Sequence, residues 1–171
     1  MEWNDVYDRD RNRTGKIHKR GTDWKTGEYG MVVCVWVYDG LGKVLLTRRA
    51  PGKTVAGTWE NSGGAVQAGE DSRTAIVREL FEETGIRARG EDFELLASCT
   101  EGKFHYDHYC LYCNIPLEKI VLQPGETDAA KWVTFSQVHE MIRQKEICRV
   151  IARQFLRLES ALLTRQKEMN G

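Results

Sequence analysis

Apolar residues along the chain fall into strand-like runs and helix-like runs, separated by glycine and charged turns. Met31 to Tyr38 is a near-continuous run of β-branched and aromatic residues that closes at Asp39-Gly40, and Lys43 to Thr47 follows it, predicting paired strands of a buried sheet. Phe93 to Thr100 and His105 to Ile115, on either side of Glu101-Gly102-Lys103, predict a second strand pair, and Lys131 to Phe135 one strand more. Near the start, Val6-Tyr7 and Lys16 to His18 flank the polar stretch Asp8 to Gly15, which predicts a hairpin or extended arm within residues 1–27. Helical patterning rules elsewhere. Ser72 to Thr84 is built of strong helix formers, with Gly85 where a left-handed cap is wanted. Ser136 can cap a helix reaching about Lys145. Val150, Ile151, Phe155, Leu158 and Leu162 recur at helical spacing within 148–167, predicting a last helix docked on the sheet. Strands alternating with helices give an α/β class, and the 171 residues fit one domain.

Composition narrows the function classes. The 25 Lys and Arg balance 25 Asp and Glu, so no overall basic field favours duplex nucleic acid or an anionic membrane. The longest apolar run falls far short of the roughly 20 residues a membrane span needs, and the acidic start from Met1 to Asp10 lacks a secretory apolar region. Five cysteines, an odd number without framework spacing, suit reduced thiols and a cytoplasmic location. Composition leaves the oligomeric state open, a homodimer included.

The predicted helix 72–84 carries the chemistry. At about 100° per residue, Glu79 at 0° places Glu82 near 300° and Glu83 near 40°, so the three carboxylates share one side. Ile76, Leu80, Thr84, Val77 and Phe81 fall on the opposing arc, which should pack on the sheet. Like charges at this spacing repel, by roughly 3 kcal/mol at about 5 Å and an effective dielectric near 20 before screening, so a cation belongs among them. Clustered carboxylates without Cys or His favour Mg²⁺ or Mn²⁺, and Mg²⁺ takes substrate phosphates into its shell.

From Gly64 the chain reads five residues, Glu70, seven residues, Arg78-Glu79-Leu80, Phe81, Glu82-Glu83, Thr84, Gly85, Ile86. This resembles the Nudix box, GX5EX7REUXEEXGU with U aliphatic, and matches all nine specified positions over 23 residues. The order of flanking elements is similar too, over residues 28 to 145. The resemblance implies an α/β/α sandwich around a mixed sheet, and a metal-dependent hydrolase that cleaves the diphosphate bond of a nucleoside diphosphate linked to another moiety. It further implies that Glu82 and Glu83 bind the metal, that Glu79 binds metal or acts as base, and that Glu70 with Arg78 steadies the box. A carbonyl of Gly63 or Gly64 would complete the inner shell, and the missing side chains let backbone approach metal and phosphate. A later acid before the Trp of the last strand, Glu126 rather than Asp128, would join the catalytic set Glu79, Glu82, Glu83 and Arg78.

Arg48, Arg49 and Lys53 stand where the isopentenyl-diphosphate isomerase-like branch of the family carries diphosphate contacts, and their forks and point charge suit phosphate. Trp59, Phe104 and Tyr106 are candidates to stack a nucleobase. Two rivals share the fold: an isopentenyl-diphosphate isomerase, which needs a cysteine that Trp59 to Gly64 lacks, and a non-catalytic nucleotide-binding module, which would have lost box carboxylates that here are all present.

Overall fold

A computed structural model describes residues 2–169. An N-terminal hairpin pairs β1 (Trp3–Tyr7) with β2 (Arg13–Lys19), as the polar stretch between their apolar residues predicts. The main sheet has seven strands: β3 (Gly30–Tyr38), β4 (Lys43–Arg49), β5 (Trp59–Glu60), β6 (Ser62–Ala65), β7 (Glu94–Glu101), β8 (Phe104–Tyr112) and β9 (Thr127–Thr134). It is mixed. β3 runs parallel to β8 from Gly30↔Phe104 to Tyr38↔Tyr112, and antiparallel to β6 from Val32↔Ala65 to Val35↔Ser62. The expected pairing of β3 with β4 shrinks to Tyr38↔Val44 beside the turn, because β4 turns away to pair along its length with β9.

Alternation on β3 sorts the core into two layers. Met31, Val33, Val35 and Val37 meet Ile76 and Leu80 of α1 (Ser72–Thr84) on one face. Trp36 and Tyr38 meet Val138 and Met141 of α2 (Phe135–Arg143) and Ile151, Phe155, Leu158 and Leu162 of α3 (Arg149–Met169) on the other. The result is the expected α/β/α sandwich. No helix among the described residues is long and apolar enough to cross a membrane.

Local chemistry sets the helix ends. Asp71 caps α1 by accepting the Thr74 N–H at 2.7 Å, and Gly85 closes it with φ at 70°, a conformation glycine adopts without Cβ strain. Two expectations need correction. The cap of α2 is Thr134 rather than Ser136, because Thr134 and Gln137 hydrogen-bond each other's backbone as a capping box. Phe81, placed by the helical wheel on the core arc, is 40% exposed, and the Arg87 guanidinium covers its ring at 4.4 Å; Ala75, Ile76, Leu80 and Thr84 form the buried stripe. A Leu80→Ala substitution should therefore cost about 2–5 kcal/mol of unfolding free energy. Phe81→Ala should cost less than about 1 kcal/mol, both read by urea denaturation.

Candidate active site

The box helix and the glycine strand meet at a cavity of about 390 Å³. α1 supplies Glu79, Glu82 and Glu83, and β6 supplies Gly63 and Gly64. Gly63 is required by contact, because a Cβ there would overlap the backbone of Val33 and Cys34, whereas a Cβ at Gly64 would push aside the Glu79 carboxylate. The Gly63 N–H points at Glu83 Oε2, 3.4 Å away.

Arg78 ties these parts together. Its Nε and Nη2 grip the two oxygens of Glu70 at 2.9 and 2.8 Å, Nη2 also donates to the Ala65 carbonyl at 3.2 Å, and Nη1 reaches Glu79 at 2.8 Å and Glu82 at 3.2 Å. Loop, strand and helix thus share one planar fork. Burial pushes the Glu70 carboxyl up, but Arg78 and the Gln67 N–H more than offset it and hold it below the usual range. The Glu79 carboxyl is raised, chiefly by burial and then by Glu82 and Glu70, with Arg78 opposing. Glu83 is raised furthest, by burial and by the charges of Glu60 and Glu79.

Further acids and bases close the pocket. Arg49 donates to both oxygens of Glu60 at 2.8 Å, Lys53 pairs with Glu126, and from the hairpin Arg20 pairs with Glu2. Six glutamates, at 2, 60, 79, 82, 83 and 126, thereby face four cations, Arg20, Arg49, Lys53 and Arg78. With every group ionised the balance is negative. Among the described residues no three acids, histidines or cysteines already surround a common point, since Arg78 takes one oxygen each from Glu79 and Glu82. The Glu82 side chain is 41% exposed, and a pair so placed is worth at most about 1 kcal/mol, so an entering divalent cation can displace it at small cost. The oxygen donors and the negative excess suit such an ion.

Of the residues singled out in the sequence, Glu79, Glu82, Glu83, Arg78, Gly63, Gly64, Arg49, Lys53 and Glu126 line this one cavity. Asp128 does not; it accepts from Arg48 at 2.7 Å. Arg48 and Trp59 are also elsewhere: Trp59 packs with the α2–α3 cluster, under Arg48 at 5.7 Å and Lys131 at 4.0 Å. Tyr106 alternates with Tyr109 of the α1 layer, and so projects from the opposite face, near His108. Phe104 lines a neighbouring cavity. Glu60, Arg20 and Glu2 were missed. Glu60 comes here because β5 pairs with β4, Glu60 opposite Thr47, and no local pattern announces that register or that the hairpin brings Glu2 and Arg20.

The sequence model of the NUDIX domain matches residues 28–155. The chain belongs to the Nudix hydrolase family. It is 30% identical over 145 residues to an uncharacterized Nudix hydrolase of Listeria innocua, covering 78% of this chain and 79% of that one. It is 29% identical over 157 residues to Nudix hydrolase 3 of Arabidopsis thaliana, matching 83% of this chain but only 20% of that longer protein. Among solved structures, a Deinococcus radiodurans protein superposes with a TM-score of 0.76 at 20% identity, over 91% of this chain and 98% of that one. A Francisella tularensis bifunctional NMN adenylyltransferase/ADP ribose pyrophosphatase, solved with AMP and a Mn ion, superposes at 0.64 with 18% identity, over 82% of this chain and 43% of that one. These likenesses show the Nudix fold.

In this Nudix protein the folded Glu83 carboxyl holds its proton to higher pH than an unfolded one, which titrates near about 4.3. The native state then binds more protons than the unfolded state across that window, so stability of the metal-free protein falls as pH rises from about 4.3 through the raised value. Glu83→Gln should flatten this fall and make the metal-free protein more stable near neutrality, as read by denaturant unfolding in a chelator across that range.

Proposed function

We propose that this Nudix protein hydrolyses the diphosphate bond of a nucleoside diphosphate linked to another moiety, with Mg²⁺ or Mn²⁺ as cofactor. The observation that carries the reading is one cavity in which three box glutamates face the glycine strand while Arg49 and Lys53 face them in turn. A diphosphate brings further negative charge into a pocket already negative, so affinity requires a divalent cation as well as the four side-chain cations. Glu79, Glu82 and Glu83, with a carbonyl of Gly63 or Gly64, would hold that ion. When bound, it neutralises phosphate oxygens and makes phosphorus more open to attack.

The chain's own groups supply the rest. Arg49 and Lys53 exchange Glu60 and Glu126 for phosphate oxygens and so orient the diphosphate. Glu79, which lies beside Gly64 and whose carboxyl is raised chiefly by burial, is the candidate to accept a proton from the attacking water. Water adds across the bridge, one P–O bond breaks, and two phosphate-bearing products leave. The manganese and AMP of the Francisella tularensis structure are consistent with this chemistry.

A Mg²⁺-dependent cleavage panel over nucleoside diphosphates and triphosphates, nucleotide sugars, dinucleoside polyphosphates and isoprenyl diphosphate, with products separated by chromatography, tests it. Cleavage of a nucleoside diphosphate derivative is expected, lost in chelator and reduced at least about 100-fold by Glu83→Gln. Full activity in that variant, or isomerisation of the isoprenyl compound in place of cleavage, overturns the assignment.

A further inference from the structure

A second cavity, of about 410 Å³, opens beside the first and shares Arg20 and Ala65 with it. Its walls are aromatic. The His18 imidazole stacks on the Trp24 indole at 3.7 Å and 13°, and the Phe104 ring stands edge-on to that indole at 5.7 Å and 78°. Gly30 makes room for Trp24, since a Cβ there would come within 2.7 Å of Cζ2. Met31 and Val32 add apolar surface, and Asn4 adds an amide whose Nδ2 donates to the Val66 carbonyl at 2.8 Å. The volume lies within the roughly 300–1,000 Å³ of small-molecule sites.

Asn4, His18, Arg20 and Trp24 all precede residue 28, where the family match begins, so this wall belongs to the hairpin arm rather than to the matched domain. The arm is fixed in place. The Ala68 N–H donates to the Trp3 carbonyl at 2.8 Å, the Gly69 N–H to Asp5 at 2.9 Å, and Tyr7 and Tyr29 exchange backbone hydrogen bonds at 2.9 and 3.0 Å. The cavity therefore stands preformed next to the acid pocket.

We propose that the arm cavity takes the nucleobase of the substrate, with Trp24 and Phe104 as its ring contacts and Arg20 on the wall shared with the phosphate side. The inference rests on the diphosphate reading of the acid pocket. Adjacency of the two cavities supplies the geometry: they share Arg20 and Ala65 as lining, so a ligand with phosphates among the glutamates has aromatic walls beside it, and flat rings with a π-face are the groups such walls bind.

Binding without turnover provides the test. Dissociation constants are measured in Mg²⁺ for a methylene-bridged nucleoside diphosphate, for methylenediphosphonate, which has no base, and for an isoprenyl diphosphate, on the wild type and on Trp24→Leu and Trp24→Phe. The nucleotide should bind more tightly than methylenediphosphonate to the wild type. Trp24→Leu should shrink that preference by about 5- to 150-fold, the equivalent of one lost base–aromatic stack, and Trp24→Phe, which keeps a ring, should shrink it less. A preference unchanged by Trp24→Leu, or an isoprenyl compound that loses as much affinity as the nucleotide, overturns the proposal. A wild type that binds nucleotide through Trp24 yet never cleaves it upholds this inference while overturning the hydrolysis.

Discussion

The fork of Arg78 is the contact on which the acid pocket depends. One guanidinium grips both oxygens of Glu70 in the loop, the Ala65 carbonyl of β6 and one oxygen of Glu79 on α1, so three segments are aligned by a single planar group. Its charge matters as much as its shape. Half-buried carboxylates at 70 and 79 would repel each other and the sheet without it, and removing one partner of such a set leaves uncompensated charge that costs several kcal/mol. Arg78 stops short of neutralising everything. Glu83 receives no basic partner among the described residues, only the Gly63 N–H and the Ser62 side chain, and remains the least satisfied acid of the pocket.

That residual dissatisfaction links stability to chemistry. The pocket stores repulsion that folding of the two apolar layers must overcome, and the repulsion is relieved only by a proton or by a cation arriving from outside. The pairs Arg49–Glu60 and Lys53–Glu126 act differently, because each cation already has a carboxylate that a phosphate can replace without exposing a bare charge. Around the same pocket the hairpin contributes Arg20 and Glu2, so the wall of the cavity extends beyond the matched domain.

Much of this is legible in the sequence. The helix at Ser72–Thr84, its Gly85 cap and the shared side of Glu79, Glu82 and Glu83 follow from local rules, spacing on a wheel and the conformational freedom of one residue. Glu126 was favoured over Asp128 by family likeness, and it lines the cavity. Where local rules failed, a distant partner decided. Phe81 sits at the border of the wheel's apolar arc and lies at the surface under Arg87. Trp59 and Tyr106 looked like base-stacking rings, but strand alternation sends them to the α2–α3 side. β4 abandons β3 for β9, a choice made 78 or more residues downstream, from Arg49↔Thr127 onward. Trp24 gave no signal at all, because its stacking on His18 and its place against Gly30 exist only once the arm has docked.

The docked arm also bears on the order in which the molecule assembles. Asn4 and Asp5 find their hydrogen-bond partners 62 and 64 positions further along, at Val66 and Gly69, and Arg11 finds Asp107 at a separation of 96. Closing loops of that length before any contact rewards them is slow. The partners of β1 and its turn exist only where the glycine loop and β8 are already in place, so the arm's wall of the pocket is tied to contacts made across much of the chain.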